Sequence, residues 1–383
     1  MKIKVLHVIQ GKYFGGAEQV VYNLVKNADL EVITPHVVCF ADADLLKKLR
    51  KIKVKTFLVY MESQWNILIP LLKLIKIIKK NKIDIVHTHT IRSNLVGRVA
   101  CFITRRKCVT HLHSPILRDF ADLKRGKRNE FIDHLTRWIA DRYIAVSESL
   151  RQEMIRDMKM DPKKIVAVHN AVDINALRLA SGDKKKDVRE EFNIPKDKFL
   201  IIVVALLRPR KGVDLLIKAL KPVTEQFSDT YLLIVGSDDM SEDPNYGPNL
   251  RSLVSELNLD KHVTFAGFRN DVPAILKKCD LMVLPSRFGE GTPMTIIEAM
   301  ALGLPVLSTK VEGIPELIED KKTGFLIDPE SVEQLVDKMI EIRKTPDVLS
   351  QIKENALRRA GEEFDVEVQV RRVEEIYKEV LAS

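Results

Sequence analysis

Two glutamates in the last third of the chain, Glu290 and Glu298, are the residues whose placement most strongly indicates chemistry. Almost every residue from 294 to 307 is apolar or small, yet Glu298 lies inside this segment. A carboxylate there is costly to bury unless something pairs with it. The segment therefore holds either one glutamate satisfied within an ordinary buried helix, or a carboxylate that serves a ligand.

The elements around the two glutamates are predicted to be a strand, a loop and a helix. Leu281 to Leu284 is a short apolar run ended by Pro285, which is typical of a buried strand. A glycine-rich loop follows, and Thr292 is expected to cap a helix whose first residue is Pro293. The free N–H groups of that helix would face the carboxyl edge of the strand. Open α/β sheets bind phosphorylated ligands at that edge.

A second glycine pair, Gly15 and Gly16, follows the first predicted strand and opens a helix. Glycines allow a backbone to approach a phosphate or a sugar closely, and a helix N-terminus favours negative charge. A tight turn between strand and helix is the alternative, in which Glu18 serves only the helix dipole.

Four histidines end two predicted strands, two on each: His87, His89, His111 and His113. Residues two apart on a strand share a face, so each pair could offer two ligands to a metal. No carboxylate or cysteine accompanies them at ligand spacing, and we therefore expect no metal site. His7 and His169 are expected to be structural.

The string EGTPMTIIEAMALGLPV, residues 290–306, resembles the signature of retaining glycosyltransferase family 4, which has the GT-B fold. The family pattern is roughly EG-x-P-x4-EAMA-x-G-x-PV, and the chain matches it closely. The resemblance implies transfer of a sugar from a nucleoside diphosphate sugar to an acceptor hydroxyl. The acceptor would be a glycan, a lipid-linked sugar or a small molecule.

The resemblance also implies roles for individual residues. Glu298 would hold the ribose hydroxyls, Glu290 would contact the transferred sugar, and His113 would contact a hydroxyl of that sugar. The donor site implied in this way comprises Gly15, Gly16, Lys211, Gly236, Phe268, Gly291, Thr292, Pro293, Met294 and Glu298. The donor is expected to be a UDP- or GDP-sugar, with no tightly bound cofactor, no protein nucleophile and no metal requirement.

Lys211 and Gly212 resemble the family segment GRL-x-P-x-KG, in which an arginine and a lysine grip the donor phosphates. Here the family arginine falls on Leu206, which is apolar. We expect Arg208 to supply the missing guanidinium, with Arg210 as the alternative. The third possibility is that phosphate binding is weaker.

Length and pattern predict two Rossmann-like, doubly wound α/β domains that face a central cleft. Residues 1–175 are predicted to bind the acceptor, 176–196 to be a polar linker and 197–361 to bind the nucleotide sugar. The C-terminal helix, 362–383, is expected to cross back onto the first domain. Strands of the second domain are predicted at 200–206, 231–235, 263–265, 281–284 and 305–308.

The formal net charge of +9 is compatible with nucleic acid, anionic lipid or a nucleotide ligand. No nucleic-acid-binding motif is present, so we expect no nucleic-acid partner. Residues 67–82 form a basic amphipathic pattern and 124–128 a basic loop, which could contact an anionic membrane; an ordinary solvated helix is the alternative. Four scattered cysteines and no apolar run long enough to span a membrane predict a cytoplasmic protein, either free or peripheral at the inner face of the membrane.

Two alternatives to a sugar transferase stay open from the sequence. One is another GT-B enzyme, such as a nucleotide-sugar epimerase or a phosphorylase. The other is a catalytically impaired protein that binds a sugar nucleotide or a lipid, and Leu206 is the feature that favours it.

Overall fold

Two parallel sheets, each flanked by helices, organise the chain in the computed structural model, which describes residues 2–61, 66–114, 123–182, 187–239 and 243–383. The first unit comprises Met1–Ala171 together with Val366–Ser383, and the second comprises Val172–Asp365. Each unit has its own sheet and its own hydrophobic core.

The first unit is built on seven strands: β1 (Ile3–Ile9), β2 (Ile33–Cys39), β3 (Lys55–Leu58), β4 (Ile85–Thr88), β5 (Lys107–Leu112), β6 (Arg142–Ala145) and β7 (Ile165–Ala167). They pair in the order β3-β2-β1-β4-β5-β6-β7, and all these pairings are parallel. The order of the strands reverses between β1 and β4. Such a reversal opens a crevice at the carboxyl edge of a doubly wound sheet.

Helices connect these strands: α1 (Gly16–Lys26), α2 (Asp44–Lys51), α3 (Leu68–Asn81), α4 (Ile91–Thr104), α5 (Leu123–Thr136), which is followed by a 3-10 turn at Arg137–Ile139, and α6 (Glu148–Asp157). The last helix of the chain, which also belongs to this unit, is described below.

The second unit has six strands: β8 (Phe199–Val204), β9 (Thr230–Val235), β10 (Val263–Gly267), β11 (Leu281–Leu284), β12 (Val306–Thr309) and β13 (Phe325–Ile327). They pair in parallel in the order β10-β9-β8-β11-β12-β13. β8, β9 and β11 are continuous apolar runs because helices cover both faces of the sheet. The reversal of strand order falls between β8 and β11.

The helices of the second unit are α7 (Ile174–Ser181), α8 (Val188–Glu191), α9 (Val213–Gln226), α10 (Tyr246–Glu256), α11 (Val272–Leu276), α12 (Met294–Ala301), α13 (Ile314–Leu317), α14 (Val332–Lys344) and α15 (Pro346–Glu363). A 3-10 turn at Pro209–Lys211 precedes α9.

Helix α16 (Val366–Ala382) ends the chain and lies in the first unit, although it follows directly on the second. One of its faces, which carries Val373 and Ile376, is buried against Val5 of β1 and Ile85 of β4. The side chain of Tyr377 also lies on this face and is 2% exposed. The apolar stripe of α16 thus completes the core over one face of the first sheet.

The chain passes between the two units earlier than the sequence pattern indicates. Residues 176–182 and 187–196 of the expected linker lie in the second unit, where Leu177 and Val188 are buried in the core. The polar run suggested a linker, but its apolar residues recur at a spacing that packs two short helices against the sheet. The most polar part of that run, 183–186, lies outside the described residues.

Three further elements differ from the expectations. α2 and β13 are not predicted, because β13 has only three residues and α2 is short and mostly charged. The basic residues 124–128 are not a loop but the first turns of α5. Lysine and arginine are good helix formers, and one glycine within a helix is tolerated at a cost of about 1 kcal/mol.

Candidate functional site

The strand-order reversal of the second sheet brings together two loops that are far apart in sequence. One loop, 205–212, follows β8, and the other, 285–293, follows β11. β8 and β11 are neighbours, and their connections leave in opposite directions along the sheet. This is the position at which open α/β sheets form a ligand crevice.

A close backbone contact at Gly212 sets the separation of these loops. Gly212 has φ +66°, and a Cβ atom on it would lie 2.1 Å from the carbonyl oxygen of Pro285. An L-amino acid with a side chain would be strained in this conformation and would also collide with backbone. Only glycine therefore lets the turn that carries Lys211 pack against the end of β11.

Lys211 and Glu290 form an ion pair across the two loops, with 2.6 Å between Nζ and Oε1. The two side chains are only 14% and 5% exposed. Ser286 donates its hydroxyl hydrogen to the same carboxylate oxygen, and Glu312 accepts the backbone N–H of Glu290 through Oε2 at 3.1 Å. The carboxylate of Glu290 is thus held in one place before any ligand arrives.

The surroundings of Lys211 carry an excess of positive charge. Burial lowers the pKa of the Lys211 ammonium, the Glu290 carboxylate opposes this, and the nearby guanidinium groups of Arg210 and Arg208 lower it further. A bound anion would offset both the burial and the repulsion. The two loops therefore form a cationic pocket in which one carboxylate is already paired.

Arginine contacts brace both loops. Arg287 donates two hydrogen bonds to the carboxylate of Asp214, at 2.8 and 2.7 Å, and a third to the carbonyl of Pro209 at 2.6 Å. Arg210 donates to the carbonyl of Gly289 at 2.8 Å. Bidentate arginine contacts of this kind hold both position and orientation. Arg287, Asp214 and Ser286 are not predicted as site residues from the sequence, since nothing in their spacing indicates that they meet.

Glu298 lies on α12, and no cation or hydrogen-bond donor pairs with its carboxylate among the residues that the structure describes. Burial raises its pKa to about 7. The helix begins at Met294 with Pro293 as its N-cap, one residue later than predicted, and Thr292 is buried just before it. A carboxylate left unpaired on the helix that follows this loop can accept hydrogen bonds from ligand hydroxyls.

Other expected donor-site residues lie at the same edge of the sheet but farther along it. Gly236 ends β9 with φ +147°, where a Cβ atom would lie 1.7 Å from the carbonyl oxygen of Ala205. The backbone of Gly236 therefore packs directly against the start of the loop that follows β8. Phe268 follows β10, the outermost strand on that side, and is 68% exposed.

The remaining predicted residues belong to the first unit. Gly15 is the N-cap of α1, and a Cβ atom on Gly16 would meet no atom within 4 Å. His113 follows β5 and is half-buried, and burial lowers its pKa to about 4. The four strand-end histidines do lie together, joined by His7, which the sequence analysis treats as structural. Ring nitrogens within 4.8 Å of one another belong to two groups, His7-His87-His89 and His89-His111-His113.

Comparison with solved structures identifies the architecture. A glycosyltransferase from Rickettsia africae superposes with a TM-score of 0.85 at 24% identity, over 99% of both chains. Anabaena HepE, solved in complex with UDP-glucose, gives a TM-score of 0.85 at 24% identity over 98% of this chain and all of that one. Two parallel α/β units that match such chains end to end define the GT-B class of glycosyltransferases.

Comparison with protein families agrees with this class. Residues 14–176 match the model of Glycosyltransferase Family 4, and residues 184–359 match that of the glycosyl transferases group 1. The UDP-Gal:alpha-D-GlcNAc-diphosphoundecaprenol alpha-1,3-galactosyltransferase of Escherichia coli is 27% identical over 317 residues, which are 82% of this chain and 80% of that protein. The chain belongs to glycosyltransferase family 4 and is a glycosyltransferase, which confirms the resemblance seen in its sequence.

The contact at Gly212 can be tested by adding one methyl group. We expect Gly212→Ala to lower the free energy of unfolding by about 2–4 kcal/mol, since the Cβ atom adds backbone strain and a collision with Pro285. Chemical denaturation measures this change. Gly361→Ala is the matched control, because its Cβ would meet nothing within 4 Å inside α15, and it should raise stability by about 0.5–1 kcal/mol. Equal effects of the two substitutions would contradict the account of the loop contact.

Proposed function

We propose that this enzyme takes a UDP-sugar at the edge of the second sheet and transfers the sugar, with retention of configuration, to a lipid-linked acceptor. The observation that carries the donor site is the combination of a buried Lys211–Glu290 pair with an unpaired Glu298 beside the same loops. The Escherichia coli relative is named for a UDP-galactose donor and a diphosphoundecaprenol acceptor, and HepE was solved with UDP-glucose. These names favour UDP over GDP.

In this proposal the diphosphate binds to Lys211 and Arg208. A diphosphate carries the negative charge that the loop after β8 lacks, and the ammonium of Lys211 is already withdrawn from water. The N–H groups of Met294 and Thr295, the first two residues of α12, have no partner within the helix and add a positive dipole end. These groups would stabilise the nucleoside diphosphate as it leaves, which is the step at which charge develops.

Glu290 and Glu298 take different parts of the donor. Glu298 has no partner among the described residues, so its carboxylate can accept both ribose hydroxyls. Glu290 is tied to Lys211 and Ser286, and exchanging part of this contact for a sugar hydroxyl would place the transferred sugar next to its own phosphate. Gly236 and Phe268 lie farther along the edge, where the base would reach.

Donor binding should depend on the ionisation of Glu298. Since burial raises its pKa to about 7, the carboxylate is increasingly protonated below neutrality and becomes a poorer acceptor of two hydroxyl groups. We expect the affinity for UDP-glucose, measured by calorimetry, to fall about tenfold between about pH 8 and about pH 6. UDP-glucose is the suitable probe because its diphosphate does not titrate in this range.

Two variants separate the roles. Glu298→Gln should bind UDP-glucose more weakly and lose most of the pH dependence, whereas Lys211→Met should bind it more weakly at every pH and lose most transfer activity. Wild-type affinity and turnover in either variant would contradict the donor site. The expected loss for removing one charged contact is about 1.5–3 kcal/mol, or roughly 10- to 150-fold in affinity. Measurable transfer by the wild-type enzyme separates this proposal from a binding protein without activity.

The lipid-linked acceptor is proposed because the first unit has a surface suited to an anionic bilayer. No helix in the described part of the chain is long and apolar enough to cross a membrane. α3, α4 and α5 pack in series as one layer. Large apolar side chains exposed on this layer and on the turn after it are Leu68, Ile69, Leu72, Phe102, Ile103, Phe131, Leu135 and Trp138. We call this layer the membrane face.

The charged side chains of α3, on the membrane face, are all positive. α3 contains no acidic residue, and its lysines, Lys73, Lys76, Lys79 and Lys80, are all exposed. Lys127 is exposed in α5, the helix that holds the basic segment 124–128. Phe102 and Trp138 make an edge-to-face contact with ring centroids 5.4 Å apart, so two helices share one aromatic group. Aromatic residues and lysines together are typical of surfaces at the headgroup level.

Membrane binding is tested with charge reversals on α3. We expect Lys73→Glu with Lys76→Glu to weaken co-sedimentation with phosphatidylglycerol vesicles at least tenfold, because each basic residue near such a surface contributes about 1 kcal/mol. Lys261→Glu with Lys277→Glu, both exposed in the second unit, is the control with the same change of charge. Equal loss in the two pairs, or equal binding to neutral vesicles, would contradict the membrane face.

A further inference from the structure

Five histidines form a buried group at the carboxyl end of the first sheet: His7, His87, His89, His111 and His113. His7 and His87 face each other on adjacent strands, and their ring centroids are 5.2 Å apart. Tyr377 of α16 lies against the group, with 2.7 Å between its hydroxyl oxygen and Nδ1 of His87. All but His113 are at most 2% exposed.

Three of these histidines form a continuous chain. Nδ1 of His7 lies 3.0 Å from Nε2 of His89, and Nδ1 of His89 lies 3.4 Å from Nε2 of His113. His89 therefore uses both ring nitrogens, one toward each neighbour. Nδ1 of His113 has no hydrogen-bond partner among the described residues, and His113 is the half-buried member at the open end.

Burial keeps all three imidazoles neutral near pH 7. It lowers the pKa of His7 to about 3 and that of His113 to about 4, and it lowers the pKa of His89 strongly, with further lowering from His87 and His7. A neutral imidazole has one N–H donor and one acceptor nitrogen. Each of the two hydrogen bonds needs an N–H donor on one ring and an acceptor nitrogen on the other.

This requirement leaves only two arrangements. If His7 donates from Nδ1, then His89 accepts at Nε2 and donates from Nδ1, and His113 accepts at Nε2 and carries its hydrogen on Nδ1. If the direction reverses, all three carry hydrogen on Nε2. The three rings must therefore share one tautomer, and the free Nδ1 of His113 is a donor in the first arrangement and an acceptor in the second.

The surroundings of His7, at the buried end of the row of three histidines, decide between the two arrangements. His7 borders a small cavity whose other walls are mainly apolar, among them Leu24 and Val370. Glu374 and Tyr377 are the polar residues of its lining, and neither forms a hydrogen bond with Nε2 of His7. In the second arrangement the N–H at Nε2 of His7 would have no partner among the described residues. Buried N–H groups without a partner are rarer in proteins than buried acceptors without one. The first arrangement is therefore favoured.

We propose that His7, His89 and His113 form a relay of coupled tautomers in which His7 and His89 are positioning residues that make Nδ1 of His113 a hydrogen-bond donor. What this donor meets rests on the proposed function: an oxygen of a sugar substrate. The coupling itself does not rest on it. If the transferase proposal failed, the relay would still stand or fall on the tautomers alone.

A metal ion is the competing explanation for such a group. The two groups with suitably close nitrogens contain histidines only. A metal would need lone pairs from three rings directed at one point. Here the nitrogens of His7 and His89, and those of His89 and His113, are opposed in pairs at hydrogen-bond distance. The paired geometry favours shared hydrogens.

The relay is tested by NMR on the full-length protein labelled with 15N-histidine, in which long-range correlations distinguish the two tautomers of each ring. We expect His7, His89 and His113, assigned by substitution, all to carry hydrogen on Nδ1. Any mixture of tautomers among the three would overturn the proposal, as would three hydrogens on Nε2, which would reverse its direction. A stoichiometric transition metal bound to these nitrogens in the purified protein would also overturn it.

Two variants test the positioning role. His89→Phe should release His113, so that its Nε2–H tautomer becomes populated, and should lower kcat/KM about 3- to 10-fold as one hydrogen bond is lost. His111→Phe is the control, since both nitrogens of His111 have no hydrogen-bond partner in the described chain although its ring stacks on His113 at 4.6 Å. An unchanged His113 tautomer in His89→Phe, or the same change in His111→Phe, would overturn the proposal. If His89→Phe does not fold, the three wild-type tautomers alone decide.

Discussion

The buried ion pair between Lys211 and Glu290 is the interaction on which the rest of the site depends. Two opposite charges, both nearly withdrawn from water, are stable only at close range and with their other hydrogen-bonding sites satisfied. Removing one partner of such a pair typically costs about 3–5 kcal/mol. The glycine at 212, the hydroxyl of Ser286 and the arginine contacts of Arg287 all serve to keep the two loops at the required distance.

In the proposed function, this pair also lets the site be stable without a donor and still bind an anion. Without a ligand, Glu290 neutralises the cation that a diphosphate would need. In that proposal a donor brings its own negative charge, so the lysine would turn to the phosphate while the carboxylate takes a hydroxyl of the sugar. Because Lys211 is already buried in the folded protein, much of its desolvation penalty belongs to the free energy of folding and not to that of donor binding. Preorganised charge of this kind is an effective way to stabilise a leaving group.

Local sequence patterns predict the main strands well and the connections less well. The apolar runs that become β8, β9 and β11 are continuous because parallel strands are covered on both faces. The segment 290–306 indicates the family because the end of the loop after β11 and the whole of α12 are consecutive in it. The expected linker at 176–196 differs from the structure because polar residues between two short helices resemble a domain boundary when composition alone is considered.

Long-range pairings could not be read from one chain. Asp214 and Arg287 are 73 residues apart, and only the strand order of the sheet brings them together. The same holds for His7 and His89, which are 82 residues apart, so the sequence alone indicates only a structural role for His7. The expectation that Arg208 replaces the arginine lost at Leu206 remains a prediction, although both Arg208 and Arg210 lie close enough to affect Lys211.

A crystal structure of the chain with bound UDP-glucose tests the central claim most directly. The account predicts diphosphate oxygens within about 3 Å of Nζ of Lys211, with the contact between Nζ and Glu290 lengthened and the ribose hydroxyls on Glu298. A nucleotide bound elsewhere, with Lys211 and Glu290 still paired to each other alone, would contradict it.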